Sequence, residues 1–211
     1  MLMIDERELD ALRNEVRRQL SPARFAHTLG VEEAVARMAL LYCPRQIVML
    51  RAAALLHDLT KEYTVEETRQ VLAREGIVLA PDEAATPAVW HAITAPSEIE
   101  HTYPAWASPA LLSAVRWHTT GRADMTLTEA ILYLADVIEE GRTYPACVAL
   151  REQFWGADPA AMDENERLEH LVRVMIAALQ GSCDSLRAKG AMVCADTLSA
   201  LAYLKEKKTL L

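Results

Sequence analysis

Apolar positions along this chain recur at the three-to-four-residue interval of a helix, in segments bounded by helix-start and helix-stop residues. Ser21-Pro22 supplies a capping side chain followed by proline at the first helical position, and opens a segment carrying His27. Pro44 opens another that runs through Leu55-Leu56 into His57-Asp58. Thr64-x-x-Glu67 reads as a capping box, with Gly76 closing that helix. Ser108-Pro109 repeats the cap-then-proline signal and leads to His118, and a second capping box, Thr126-x-x-Glu129, precedes the run that reaches Asp136. From about Asp163 to Lys207 the pattern predicts two long amphipathic helices broken at Gly181. Ile77-Val78-Leu79 is the only strand-like stretch, too short to argue from. The segment from Pro81 to Pro109 is the loosest, and it holds a short helix around His91. No internal repeat or low-complexity linker interrupts the series. The expectation is one all-α domain: an amino-terminal helix in 1–20, a catalytic core over 21–155, and long helices over 156–211 packed on that core as an extension of the same domain.

Composition supports a packed helical chain, with 52% hydrophobic residues and only seven glycines in 211 residues. The formal net charge of -8 argues against a general nucleic-acid backbone binder, which needs a basic surface. A local phosphate site is still compatible with it, because a few cations and a metal can hold an anion on an acidic protein. Cys43, Cys147, Cys183 and Cys194 are scattered without a Cys-x-x-Cys pair, so they read as small core residues rather than a zinc ribbon or redox site. The amino terminus lacks a basic-then-apolar secretory pattern, and no apolar run approaches the roughly 18 residues that span a bilayer. The expectation is a soluble, cytoplasmic protein with no membrane or nucleic-acid partner.

The chemistry concentrates at His57-Asp58, at the end of the apolar run Ala52–Leu56. A carboxylate there is costly to bury unpaired and lies where the helix dipole opposes it. A cation removes both objections, and an aspartate can bridge two metals. Asp136 makes the same argument, lying between Ile131-Leu132-Tyr133-Leu134-Ala135 and Val137-Ile138; a buried ion pair to Arg142 is its alternative reading. His118 sits at an apparent helix end in Trp117-His118-Thr119-Thr120-Gly121-Arg122, a turn whose hydroxyls, glycine backbone and arginine suit an oxyanion. His27 and His91 are unremarkable taken singly. His101 and His170 lie among glutamates and read as surface residues. Imidazole with carboxylate suits Zn, Mn or Fe.

His27, then His57-Asp58, then Asp136 resemble the H…HD…D signature of the HD-domain metal-dependent phosphohydrolases. Leu55-Leu56-His57-Asp58-x-x-Lys61, the segment around His91, His118-Thr119-Thr120-Gly121-Arg122, and Tyr133-Leu134-Ala135-Asp136-x-Ile138-Glu139-x-x-Arg142 resemble one branch, the YqeK family of symmetrical diadenosine tetraphosphate hydrolases. The likeness covers roughly Ser21 to Arg151. It departs at Ala92, where the family usually has glycine, and over the proline-rich stretch to Ala107.

The resemblance implies an HD-type helical bundle with two metal ions, iron in the family, with Mn or Zn compatible with the donors. One metal would be held by His27, His57, Asp58 and Asp136, and the second by His91 and His118 with Asp58 bridging. Lys61, Arg122 and Arg142 become candidate phosphate contacts and stabilisers of developing charge, with Thr119, Thr120 and Gly121 beside the substrate. Two metals lower the pKa of a shared water, supply hydroxide at neutral pH and clamp phosphate oxygens. The implied reaction is hydrolysis of diadenosine tetraphosphate to two ADP. Rival readings are another HD-type phosphohydrolase acting on (p)ppGpp, a deoxynucleotide or a cyclic dinucleotide; a non-catalytic nucleotide sensor; and a structural helical protein. The long final helices also offer a homodimer interface.

Overall fold

Helices α1 (Glu6–Gln19), α2 (Pro22–Tyr42) and α3 (Ile47–Leu56) open a computed structural model that describes residues 6–210. They are followed by α4 (Val65–Arg74), α5 (Pro81–Ala84), α6 (Trp90–Thr102), α7 (Pro109–Trp117), α8 (Leu127–Ile138), α9 (Pro145–Gly156), α10 (Glu164–Ala188) and α11 (Ala195–Lys207). Single 3₁₀ turns stand at Pro44–Gln46 and Pro87–Val89. The described residues contain no strand, and Ile77-Val78-Leu79 forms a loop in which Val78 is 91% exposed. The all-α expectation holds.

The caps predicted from sequence are present. The hydroxyls of Ser21, Thr64, Ser108 and Thr126 accept hydrogen bonds from the backbone N–H groups of Arg24, Glu67, Leu111 and Glu129. These bonds fix where α2, α7 and α8 begin, and so which turn of each helix carries its functional residue.

Helix α3 is the pivot of the packing. Leu50 and every residue from Ala52 to Leu56 are buried, and α3 packs against α1, α2, α7 and α8. Alanine at 52, 53 and 54 keeps its girth small, which lets neighbouring helices approach from several sides. One continuous apolar core runs from Leu9 of α1 through α3 and α8 to Leu201 and Leu204 of α11. A smaller cluster of Leu72, Val89, Ile93 and Cys194 joins α4, α6 and the start of α11. Where α1, α2 and α3 meet, the buried Glu32 carboxylate accepts from both Arg13 and Arg51, and Arg51 also forks onto Glu6 of α1.

Three expectations need correction. Helix α10 runs straight through Gly181, and the break falls at Gly190, whose φ of +66° is the left-handed conformation that ends a helix. Its N–H bonds the Arg187 carbonyl, while that of Ala191 bonds the Leu186 carbonyl. The proline-rich segment is mainly helical, because Pro81 and Pro87 take first-turn positions and only Pro96 lies inside a helix. Helix α6 is therefore longer than the short helix expected around His91. His170 is 4% exposed, stacked on Phe154 and bonded to the Phe154 carbonyl, because the glutamates beside it in sequence point to solvent from other faces of α10. His101 is exposed, as expected, and pairs with Glu75. Cys183 and Cys194 are buried, whereas Cys43 and Cys147 are half-buried.

The two glycines provide a test. A Cβ at Gly181 would meet nothing within 4 Å. Gly181→Ala therefore raises stability by about 0.5–1 kcal/mol, whereas Gly190→Ala lowers it by about 1 kcal/mol. Thermal or urea denaturation of the two variants checks both signs; a destabilised Gly181→Ala would contradict a straight α10.

Candidate metal centre

Six side chains from five parts of the chain meet in one place. His27 comes from the second turn of α2, His57 and Asp58 from the turn that ends α3, His91 from the first turn of α6, His118 from the end of α7, and Asp136 from the last turn of α8. His57, Asp58, His91 and His118 are all buried. The inter-helix contacts of α2, α3, α7 and α8 determine this meeting.

Asp58 is its centre, 3% exposed, and its two oxygens face different groups. Oδ2 lies 3.4 Å from His57 Nε2 and 3.8 Å from His27 Nε2. Oδ1 lies 3.3 Å from His91 Nε2 and 3.8 Å from His118 Nε2. Asp136 Oδ1 joins the first group, 2.9 Å from His27 Nε2 and 4.0 Å from His57 Nε2.

The ring orientations are imposed from behind. His57 Nδ1 donates to the Ala54 carbonyl at 2.6 Å, and His118 Nδ1 donates to the Val115 carbonyl at 2.6 Å. His27 Nδ1 donates to Glu139 Oε1 at 3.1 Å. Each partner can only accept, so each Nδ1 carries a proton and the ring turns its Nε2 inward, where it can serve as a ligand atom. His57 Nε2 is buried without a hydrogen-bond partner, and His27 Nε2, also buried, forms no hydrogen bond although the Asp136 carboxylate is its close neighbour. A buried polar atom left unsatisfied costs about 1–3 kcal/mol, and two such ring nitrogens in one cluster of imidazoles and carboxylates fit a cation. The donor set thus suits metal ions, with His27, His57 and Asp58 in one possible ligand group and Asp58, His91 and His118 in the other.

His91 is held differently. Thr60 Oγ1 donates to its backbone carbonyl at 3.0 Å, tying α6 to the His57-Asp58 turn, and Lys61 Nζ stands 3.2 Å from both ring nitrogens. Its Nε2 is 3.1 Å from His118 Nε2.

Charge balance follows from these distances. Burial opposes ionisation of Asp58, yet His57, His91 and His118 outweigh it and hold the carboxyl well below the usual range. Burial likewise opposes Asp136, and His27 and Arg142 bring it down. Burial and the neighbouring His118 push His91 far down, and burial with His57 nearby pushes His118 to about 4, so both are neutral at pH 7. Burial would lower His57, but Asp58 and Asp136 reverse this and raise it. Burial lowers Lys61.

The remaining sequence candidates divide. Lys61 borders the cluster, and Thr119 Oγ1 lies 3.2 Å from His91 Nε2 and 3.1 Å from His118 Nε2. Arg142 binds Asp136 Oδ1 at 2.6 Å, so the ion pair weighed against metal ligation is present alongside the cluster. Thr120 donates to the Gly121 carbonyl, and Gly121, with φ of +66°, faces Met125, Leu179 and Ala200. Arg122 forks onto the fully buried Glu129 and the Ala123 carbonyl, which locks the turn after α7 to the start of α8. These three sit in the supporting frame of the turn.

Two neighbours were not assigned roles from sequence. Arg24, one turn before His27, binds Asp58 Oδ2 at 2.8 Å. Glu139, three residues after Asp136, is buried beneath His27. Its carboxylate fills the space that a Cβ on Gly30 or Gly141 would need, so both glycines are there to let Glu139 reach the ring. The spacing of Arg24 and Glu139 to the ligand candidates was the available signal.

Residues 24–141 match the HD domain family, and the chain is a hydrolase belonging to it. Within that family it is similar to proteins named symmetrical bis(5'-nucleosyl)-tetraphosphatase. The Bacillus subtilis (strain 168) protein is 32% identical over 65% of this chain and 72% of its own length. That of Halalkalibacterium halodurans is 33% identical over the same shares, 65% and 72%. The fold is similar to the crystal structure of an HD superfamily hydrolase from Clostridium acetobutylicum, described as involved in NAD metabolism. The TM-score is 0.79 at 25% identity, over 94% of this chain and 97% of that one.

Two outcomes test the centre. Glu139→Ala lowers metal affinity about 10–100-fold by freeing the His27 ring, and Gly141→Ala does the same by displacing Glu139; unchanged affinity by metal titration would remove Glu139 from this role. Because the ligating rings must be neutral and His57 holds its proton to higher pH, acidification favours the protonated, metal-free form. Calorimetric titration with Mn²⁺ shows weaker binding at pH 5.5 than at pH 7.5, with proton release; pH-independent affinity would contradict the ligand set.

Proposed function

We propose that the chain hydrolyses dinucleoside polyphosphates, with diadenosine tetraphosphate cleaved symmetrically to two ADP. The observation that carries the reading is the Asp58 carboxylate, whose two oxygens each face a separate group of imidazole nitrogens. That is the arrangement expected of a carboxylate shared by two ions. The names of the relatives supply the substrate class.

His27, His57, Asp58 and Asp136 would hold one metal, and Asp58, His91 and His118 the other. Iron is favoured by the family resemblance, while Mn or Zn suits the same donors. When bound, the pair supplies Lewis acidity toward phosphoryl oxygens and activates water at neutral pH.

The chain's own groups do the rest. Asp58 and Asp136 are ionised at neutral pH and stay available as ligands. Lys61 Nζ, at the edge of the cluster, donates to a phosphoryl oxygen and offsets charge that grows as the inner anhydride bond breaks. Thr119 Oγ1 donates to the same phosphoryl group. Arg24 and Arg142, each now on a carboxylate of the cluster, face the entering polyphosphate and screen its charge from Asp58 and Asp136. Arg122 contributes by fixing the turn that presents His118 and Thr119, held there by Glu129. Four free thiols and a nucleotide substrate suit the cytoplasm.

Purified protein gives ADP as sole product from diadenosine tetraphosphate. Release of AMP with ATP would overturn the symmetrical reading. Asp58→Ala loses both metals and activity together. Lys61→Met keeps the metals but lowers kcat about 10²-fold. Elemental analysis beside product chromatography separates these results, and full metal occupancy in Asp58→Ala would remove the shared carboxylate from the mechanism.

A further inference from the structure

A cavity of about 320 Å³ opens beside the cluster, and its wall includes Arg24, His27, Glu62, Arg142 and Tyr144. These side chains have an order. His27 belongs to the metal-ligand group. Arg24 and Arg142 each grip one of the cluster's carboxylates, at 2.8 Å and 2.6 Å. Tyr144 stands on the same wall two residues after Arg142, 70% exposed, the most exposed aromatic side chain among the described residues. It is the N-cap residue of α9, yet its side chain makes no capping hydrogen bond. Single exposed apolar residues are ordinary. What sets this one apart is its place on a cavity wall that leads past two guanidiniums to a carboxylate–imidazole cluster.

Exposure rises across this wall, from the metal-ligand candidate His27 (12%) through the guanidiniums of Arg24 (29%) and Arg142 (31%) to the aromatic face of Tyr144 (70%). A nucleotide presents phosphates, ribose, then a base in the same order. We propose that Tyr144 is the stacking platform for one purine base of the substrate, with Arg24 and Arg142 contacting the phosphates attached to it. This assigns a specificity residue for the reaction proposed above and rests on that reading. A phenol ring offers a π face that stacks on a base without hydrogen-bond readout, so the platform confers preference for nucleotides over bare polyphosphate rather than for one base over another.

The test uses the metal-loaded protein and compares binding of ADP with binding of inorganic diphosphate in wild type, Tyr144→Ala and Tyr144→Phe. Tyr144→Ala weakens ADP roughly tenfold, as expected for loss of one base–aromatic stack, and leaves diphosphate unchanged. Tyr144→Phe keeps wild-type ADP affinity, because the ring rather than the hydroxyl does the binding. Steady-state kinetics with diadenosine tetraphosphate then show a raised KM in Tyr144→Ala with little change in kcat. Unchanged ADP affinity in Tyr144→Ala overturns the platform, as does equal loss of ADP and diphosphate, which would mark damage to the phosphate site. Wild-type protein that fails to hydrolyse the dinucleotide but binds ADP in a Tyr144-dependent way overturns the hydrolytic reading and leaves the platform standing.

Discussion

The arrangement of this molecule depends on burying one carboxylate, Asp58, at the carboxy-terminal end of an apolar helix. That position is unfavourable twice over, because the side chain leaves water and because α3 points the negative end of its dipole toward it. What makes it tenable is the Arg24 guanidinium on Oδ2, together with four imidazoles whose Nε2 atoms gather around both oxygens as a donor set that a cation would share with the carboxylate. Every helix that contributes one of these groups must be held to within a fraction of an ångström, and α3, which packs against α1, α2, α7 and α8, is the element around which they are held.

The supporting frame explains how the rings keep their orientation. For His57 and His118 the Nδ1 proton goes to a carbonyl three residues earlier on the same helical turn, so the orientation is a local property of a helix end. For His27 the acceptor is a side chain, Glu139, placed by the loop after α8 and admitted by the absence of side chains at Gly30 and Gly141. Two of the histidines are therefore oriented by backbone alone, whereas the third depends on long-range packing of α2 against α8. The Arg122–Glu129 pair, its carboxylate fully buried, does for the turn after α7 what Glu139 does for His27.

Much of this was legible in the sequence because its signals are local. Ser21, Thr64, Ser108 and Thr126 announce helix starts through bonds made within four residues, and the chain obeys them. The helix break at Gly190 rather than Gly181 was not legible, since both positions offer glycine and only the left-handed turn, set by packing of α11 back on α10, distinguishes them. The burial of His170 was hidden by its glutamate neighbours, which share its sequence but not its helix face. The six ligand candidates could be picked out because charged and imidazole groups in apolar runs demand a partner. Which of the nearby cations face the cluster could not be read: Arg24 gave no more signal than any surface arginine, and Arg122 gave a stronger one while turning to Glu129.

The central claim is that the chain carries a two-metal centre built on Asp58, and the most direct measurement is anomalous diffraction from crystals of the metal-loaded protein. The account predicts two peaks flanking Asp58, one beside His27, His57 and Asp136, the other beside His91 and His118. A single peak, or peaks away from Asp58, would contradict it.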